Sequence, residues 1–295
     1  MKRRSMPGRV GSAVVLMLAA VLGTSVANAQ RGPGPGPGPG QATARDGAPV
    51  DLTGTWVSVV SEDWRHRMAT SRKGDYESVP LNGNGRRVAD TWDLDADNTA
   101  GLECKAFGIG GIMRQPGRLR IGWEDAQTLS IEFDAGEQMR LLHFGAATAT
   151  GEKTWQGYST ATWQRPPGRR GGAPRAQIGN SQGPTVAGGG GLGQRGGPPP
   201  SASIYEGGAL AVTTTNFLSG YLRKNGVPYS EDARITEYFH RLPAEPNGDV
   251  WLLVTTIVED PTYLSGPFYT STHFRLEPDD SGFDPQPCRT APPPP

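Results

Sequence analysis

The chain has 295 residues, with 29 Lys and Arg against 29 Asp and Glu. A formal charge of zero excludes a nucleic-acid binder held by bulk positive charge. Glycine (42) and proline (27) make up roughly a quarter of the chain, about double the usual share, and hydrophobic residues only 35%, so not all of the chain can belong to one packed domain.

From the N-terminus, Lys2, Arg3, Arg4 and Arg9 accompany a short apolar run at 13–22, and Ala27-Asn28-Ala29 follows as a small-x-small site. This is the pattern of a secretory signal peptide over 1–29, cleaved after Ala29. The apolar run is about half the roughly 20 residues that span a bilayer, which argues against an anchor. Cleavage removes four basic residues and no acidic one, leaving a mildly acidic chain. A periplasmic or secreted protein without a membrane span is expected. Residues 32–40 read GPGPGPGPG. Proline blocks helix and glycine weakens strand, so 30–48 is predicted to be a disordered linker.

Between 49 and 290 the apolar residues alternate with period two. Leu119, Ile121 and Trp123 share one face of a strand, and Leu129, Ile131 and Phe133 share one face of the next, across a turn at 125–127. A second turn at 134–136 leads into 138–144. Further strands are predicted at 52–60, 155–164, 210–217, 234–242, 250–258 and 268–276, with hardly any helical pattern. About nine short antiparallel strands predict an all-β domain, a barrel or a sandwich; a barrel leaves no exposed edge. Residues 166–203 interrupt this domain with a tract rich in Gly, Pro, Arg and Gln. Its two Arg-Gly-Gly triplets resemble RNA-binding segments, but in an exported chain a disordered insert is expected instead, with no nucleic-acid partner. A disordered proline tail is predicted at 291–295.

Asp51-Leu52-Thr53-Gly54-Thr55-Trp56 resembles the Gly-x-Trp start of lipocalin-like barrels. The resemblance implies that Trp56 plugs the closed end beneath an arginine from a late strand, with Arg275 the candidate through cation–π packing; a plain core tryptophan is the competing reading. A second likeness runs in order over most of 80–288. Its pieces include Trp155-x-Gly157-x-Ser159-x-x-x-Trp163, Gly226-x-Pro228-x-Ser230-Glu231 and Glu259-Asp260-Pro261. Together these resemble a group of exported bacterial proteins. The group implies export and a β-rich domain, and it transfers no catalytic residue.

The two cysteines, Cys104 and Cys288, are expected to pair in an oxidising compartment. Asp93, Asp95 and Asp97 have the start of a calcium loop, but Cys104 stands where a bidentate Glu is required, so a solvated acidic turn is expected. The four histidines (His66, His143, His240, His273) form no metal-spaced pair, and no nucleophile elbow or phosphate loop is present. No metal and no cofactor are therefore expected. Trp64, Arg65 and Arg67, close after the first strand, are candidates for a polar mouth that takes an anionic or amphipathic ligand; an exposed ion-paired loop is the alternative. Glu237 and His240 are further candidates, although three residues apart on a strand they face opposite ways. The leading expectation is a non-enzymatic barrel that binds a small, partly apolar ligand. The alternatives are a periplasmic enzyme using Glu237, His240 or Asp260 as acid or base, and an envelope module whose Arg-rich tract meets another polymer or protein.

Overall fold

Strands with one apolar face must bury it, and a sheet closed on itself does so without leaving an edge. The computed structural model describes residues 42–145, 149, 151–165 and 208–294. Its main sheet is a closed barrel of nine strands: β1 (Gly54–Val59), β2 (Arg118–Trp123), β3 (Thr128–Phe133), β4 (Gln138–Phe144), β5 (Tyr158–Gln164), β6 (Ala209–Thr215), β7 (Arg234–Arg241), β8 (Trp251–Glu259) and β9 (Phe268–Leu276). Strands follow one another round the ring in chain order, and β1 closes it between β9 and β2. The predicted segments 138–144 and 268–276 are strands at those bounds. The segment expected from 155 starts late because Gly157 turns with a positive φ of 63°, where an added Cβ would lie 2.6 Å from the Thr215 carbonyl oxygen.

The expectation of a wholly antiparallel barrel is corrected at one seam. β4 and β5 run parallel, with Leu142 beside Ser159 and Phe144 beside Ala161. All other neighbours round the ring are antiparallel. Parity is the cause, since an odd number of strands cannot alternate direction all the way round a closed ring.

The mouth is the end where β1 begins and β2 ends; the opposite end is the base. One apolar cluster, including Trp56, Leu142, Val212, Phe239, Val254 and Phe274, fills the mouth half and runs down β2 and β3 to Phe133, Phe107 and Met113. A second fills the base half and its cap, including Phe217, Tyr229, Ile235, Val258 and Phe268. The cap corrects the expectation of almost no helix. Between β1 and β2 lie α1 (Trp64–Met68), α2 (Gly83–Asp90) and α3 (Leu94–Thr99). Asn82 caps α2 by accepting from Gly85 N at 2.9 Å, and Asp93 caps α3 by accepting from Ala96 N at 3.0 Å. The acidic turn is thus a short helix. Asp97 spends its carboxylate on Lys105 (3.0 Å) and the Tyr221 hydroxyl (2.7 Å).

The C-terminal segment returns from mouth to base along the outside of the barrel. Glu277 accepts from Arg118 Nε at 2.6 Å, the Arg120 guanidinium lies 4.6 Å from the Phe283 ring centre, and Gln286 and Pro287 pair with Ala135 and Gly136. That two-residue ladder replaces the plain turn expected at 134–136. Cys288 then bonds Cys104, with Cα atoms 5.1 Å apart. At the other terminus, residues 42–48, expected to belong to a linker, pack on the mouth end of the barrel. The segments expected to be a signal peptide, the rest of the linker and the disordered insert 166–203 lie outside the described residues. Among the described residues, no helix is long and apolar enough to cross a membrane.

Two outcomes are expected. Denatured, unreduced protein should show no free thiol, and the double variant Cys104→Ser/Cys288→Ser should lose about 2–5 kcal/mol in urea unfolding, because the bond closes a loop with a sequence separation of 184. Replacing 166–203 by a short Gly-containing turn should leave the melting temperature within a few degrees. β5 and β6 already pair from Tyr158–Thr215 to Gln164–Ala209, and loop length costs only logarithmically.

Candidate functional site

The inward faces of β2, β4 and β5 end at the mouth in Trp123, Phe144 and Trp163. Their rings stack in a row, with centres 5.6 Å apart between Trp123 and Phe144 and 5.4 Å between Phe144 and Trp163. Such a row comes from strand parity: each aromatic is the last inward residue of its strand. Residues 42–53 form a strap across the same end. Trp163 Nε1 donates to the Ala44 carbonyl (2.9 Å), and Arg45 N donates to the Ala126 carbonyl (3.1 Å). Arg165 and Arg241 donate to the carbonyls of Gly47 and Asp51, each at 2.6 Å. Between strap and barrel lies a pocket of about 330 Å³. Trp123, Trp163, Leu129 and Leu52 give it apolar walls, and Arg45 and Asp51 give it charge. The volume falls at the low end of ligand sites.

Deeper in the lumen, each strand from β6 to β9 carries a polar residue between the two apolar clusters. Thr214 follows Val212, Glu237 separates Phe239 from Ile235, Thr256 separates Val254 from Val258, and Thr272 lies between Phe274 and Phe268. Arg140 reaches this belt from β4. Its Nη2 donates to Glu237 Oε2 (2.7 Å), Ser159 Oγ (3.2 Å) and Thr214 Oγ1 (3.2 Å). Arg140 and Glu237 are 1% and 0% exposed. The Arg140 Nε and Nη1, Glu237 Oε1 and the Thr256 and Thr272 hydroxyls find no hydrogen-bond partner among the described residues. Protein groups thus satisfy the belt only in part, and desolvation offsets most of the attraction between its charges.

At the base, the residues expected to form a polar mouth separate. They lie on α1, where Trp64 and Met68, four apart, share the solvent face. Trp64 is 67% exposed. Arg67, 1% exposed, turns inward and donates to the Arg114 carbonyl (3.0 Å), Ser58 Oγ (2.9 Å) and Glu62 Oε1 (2.5 Å). Arg65 stays outside, bonded to Asp75 and Glu77. Beside Arg67 lie two more buried guanidiniums, Arg114 and Arg223, both facing Asp63. Burial lowers the pKa of all three, that of Arg223 to about 10, against the opposing pull of Glu62 and Asp63.

The acid–base candidates are also dispersed. Glu237 points into the lumen; His240 lies on the outer face of β7, where burial lowers its pKa. Asp260 lies in the base cap, accepting from Ser230 N (2.7 Å), Ser230 Oγ (2.8 Å) and Thr262 N (3.0 Å). The Trp56–Arg275 pairing is corrected as well. Trp56 faces Leu276 across the β1–β9 ladder, and Arg275 faces Val57 on the outside. Trp56 is a buried core side chain whose Nε1 donates to the Leu52 carbonyl at 3.0 Å. Arg140 was missed by the sequence reading, although a charge on the inward face beside Leu142 was its signal. Compared with models of known families, with curated proteins and with solved structures, the chain matches none.

Removing one partner of the buried pair should be costly. Glu237→Leu and Arg140→Met are each expected to lose about 3–5 kcal/mol, because the surviving partner stays buried. Arg140→Met/Glu237→Leu should lose less than the sum of the singles, read by a urea double-mutant cycle.

Proposed function

We propose that the chain is an exported binding protein whose barrel mouth takes a small, flat, partly apolar ligand. The observation that carries this reading is the Trp123–Phe144–Trp163 row, whose two tryptophans line the pocket beneath the strap. Aromatic faces offer large contact area at little cost in side-chain freedom. Arg45 and Asp51 at the rim supply the polar contacts that would orient a ligand. The signal-peptide pattern and the Cys104–Cys288 bond support placement in an oxidising compartment outside the cytoplasm. The acid–base reading loses its footing, since Glu237 is tied to Arg140 and neither His240 nor Asp260 shares its surroundings.

A flat amphipathic probe, 1-anilinonaphthalene-8-sulfonate, should bind the native mature protein saturably with one site per chain. Trp123→Ala and Trp163→Ala should each weaken binding about tenfold or more, whereas Trp64→Ala, at the far end, should leave it unchanged. Absence of saturable binding, or equal binding in both mouth variants, would overturn the reading.

A further inference from the structure

The base carries a second constellation, unrelated to the mouth. His66 from α1 and Asp75 and Glu77 from the following loop each offer one ligand atom, all within 4.8 Å of one another. At their centre sits a single nitrogen. Arg65 Nη2 is 3.5 Å from His66 Nε2, 3.2 Å from Asp75 Oδ1 and 3.1 Å from Glu77 Oε2. A positive group therefore already occupies the point on which an imidazole nitrogen and two carboxylates converge.

We propose that His66, Asp75 and Glu77 form a binding site for a divalent transition-metal ion, Zn²⁺ by its donor chemistry, which exchanges with the Arg65 guanidinium. One imidazole and two carboxylates suit zinc, whose ligand distances of about 2.0–2.2 Å need the ion to settle about 1.4 Å nearer the imidazole than Arg65 Nη2 does and the two carboxylates to follow it. The donors allow this. Glu77 is exposed, and Asp75 is partly so. His66 is buried, and its Nδ1 lies 2.6 Å from Ser71 Oγ, a contact that fixes the ring and leaves Nε2 turned to the site. Arg65 is half exposed and can swing into water when displaced. Arg65 also offsets part of the repulsion between the two carboxylates. Three protein donors leave a fourth coordination position for solvent or an external ligand.

The test is calorimetric titration of untagged mature protein with Zn²⁺ alone, in a buffer that does not bind the metal. One ion per chain is expected. Asp75→Asn and Glu77→Gln should each weaken binding about tenfold or more, and Arg65→Gln should tighten it by a similar factor. His66→Ala should abolish it; because His66 is buried, the two carboxylate variants carry the test if that variant does not fold. His143→Gln, in a distant β4 position stacked on Tyr158, should bind as the wild type does. No saturable one-to-one binding to the wild-type chain overturns the site, as does binding that both carboxylate variants leave intact. An Arg65→Gln variant that binds no more tightly overturns the exchange.

Discussion

Ring closure with an odd strand number is the constraint from which most of this architecture follows. Nine strands leave one parallel pair, β4 with β5. A parallel pair cannot be joined by a tight turn, so the chain must travel from mouth to base before β5 begins. Residues 151–157 arrive at the base, where the Trp155 carbonyl accepts from Ile109 N at 2.8 Å and the Thr154 carbonyl accepts from Leu218 N at 2.9 Å. The return segment thereby ties the excursion after β1 to the excursion after β6. Both excursions build the cap that buries Tyr229, Leu222 and Phe217. The C-terminal segment makes a second descent outside β1 and β2 and is fastened beneath by Cys104. Strap, return and tail are all consequences of closing the ring and then finding places for the chain that the ring leaves over.

Along β6 to β9 the lumen is layered apolar, polar, apolar. Strand period explains why the layer is sharp: residues two apart share a face, so Ile235, Glu237 and Phe239 stack up one wall of the barrel. A slip of one residue would turn Glu237 outward and bring Thr236 and Tyr238 in, stranding Arg140 among apolar side chains. The ion pair therefore opposes misregister more strongly than it adds to stability. Its net contribution is small, because desolvating two charges offsets most of their attraction.

How much of this was legible in sequence depends on how local the signal was. Alternation in 118–133 and in 268–276 marked strands because period two is a local property. The cysteine pair was legible from count and compartment. Gly157, Ser230 and Asp260, all within the motifs noted in the sequence, proved to be a positive-φ turn and a hydrogen-bonded corner. Direction round the ring was not legible, since parity depends on all nine strands at once. Trp64 and Arg67 looked like one polar mouth because they are close in the chain; in the helix that forms there, one goes to water and the other to the interior. The pocket at the mouth escaped for the opposite reason. Trp123, Phe144 and Trp163 lie on three strands, and only the closed sheet brings their ends together.

Two of the arginine–carboxylate clusters, one in the lumen and one on the base, differ in what burial permits. Arg140 and Glu237 are sealed, and separating them would leave a charge in an apolar surround, a cost of several kcal/mol. Arg65 with Asp75 and Glu77 is wet, and a pair of that kind is worth about 0–1 kcal/mol. The first arrangement cannot be opened without unfolding the barrel, so it is architecture. The second can be opened by any cation that binds three converging donors better than a guanidinium at more than 3 Å. Burial, rather than residue type, separates the charged group that holds the fold from the one that is available for binding. By the same measure the mouth aromatics are available too, because strand ends hold them rigidly while leaving them half-buried.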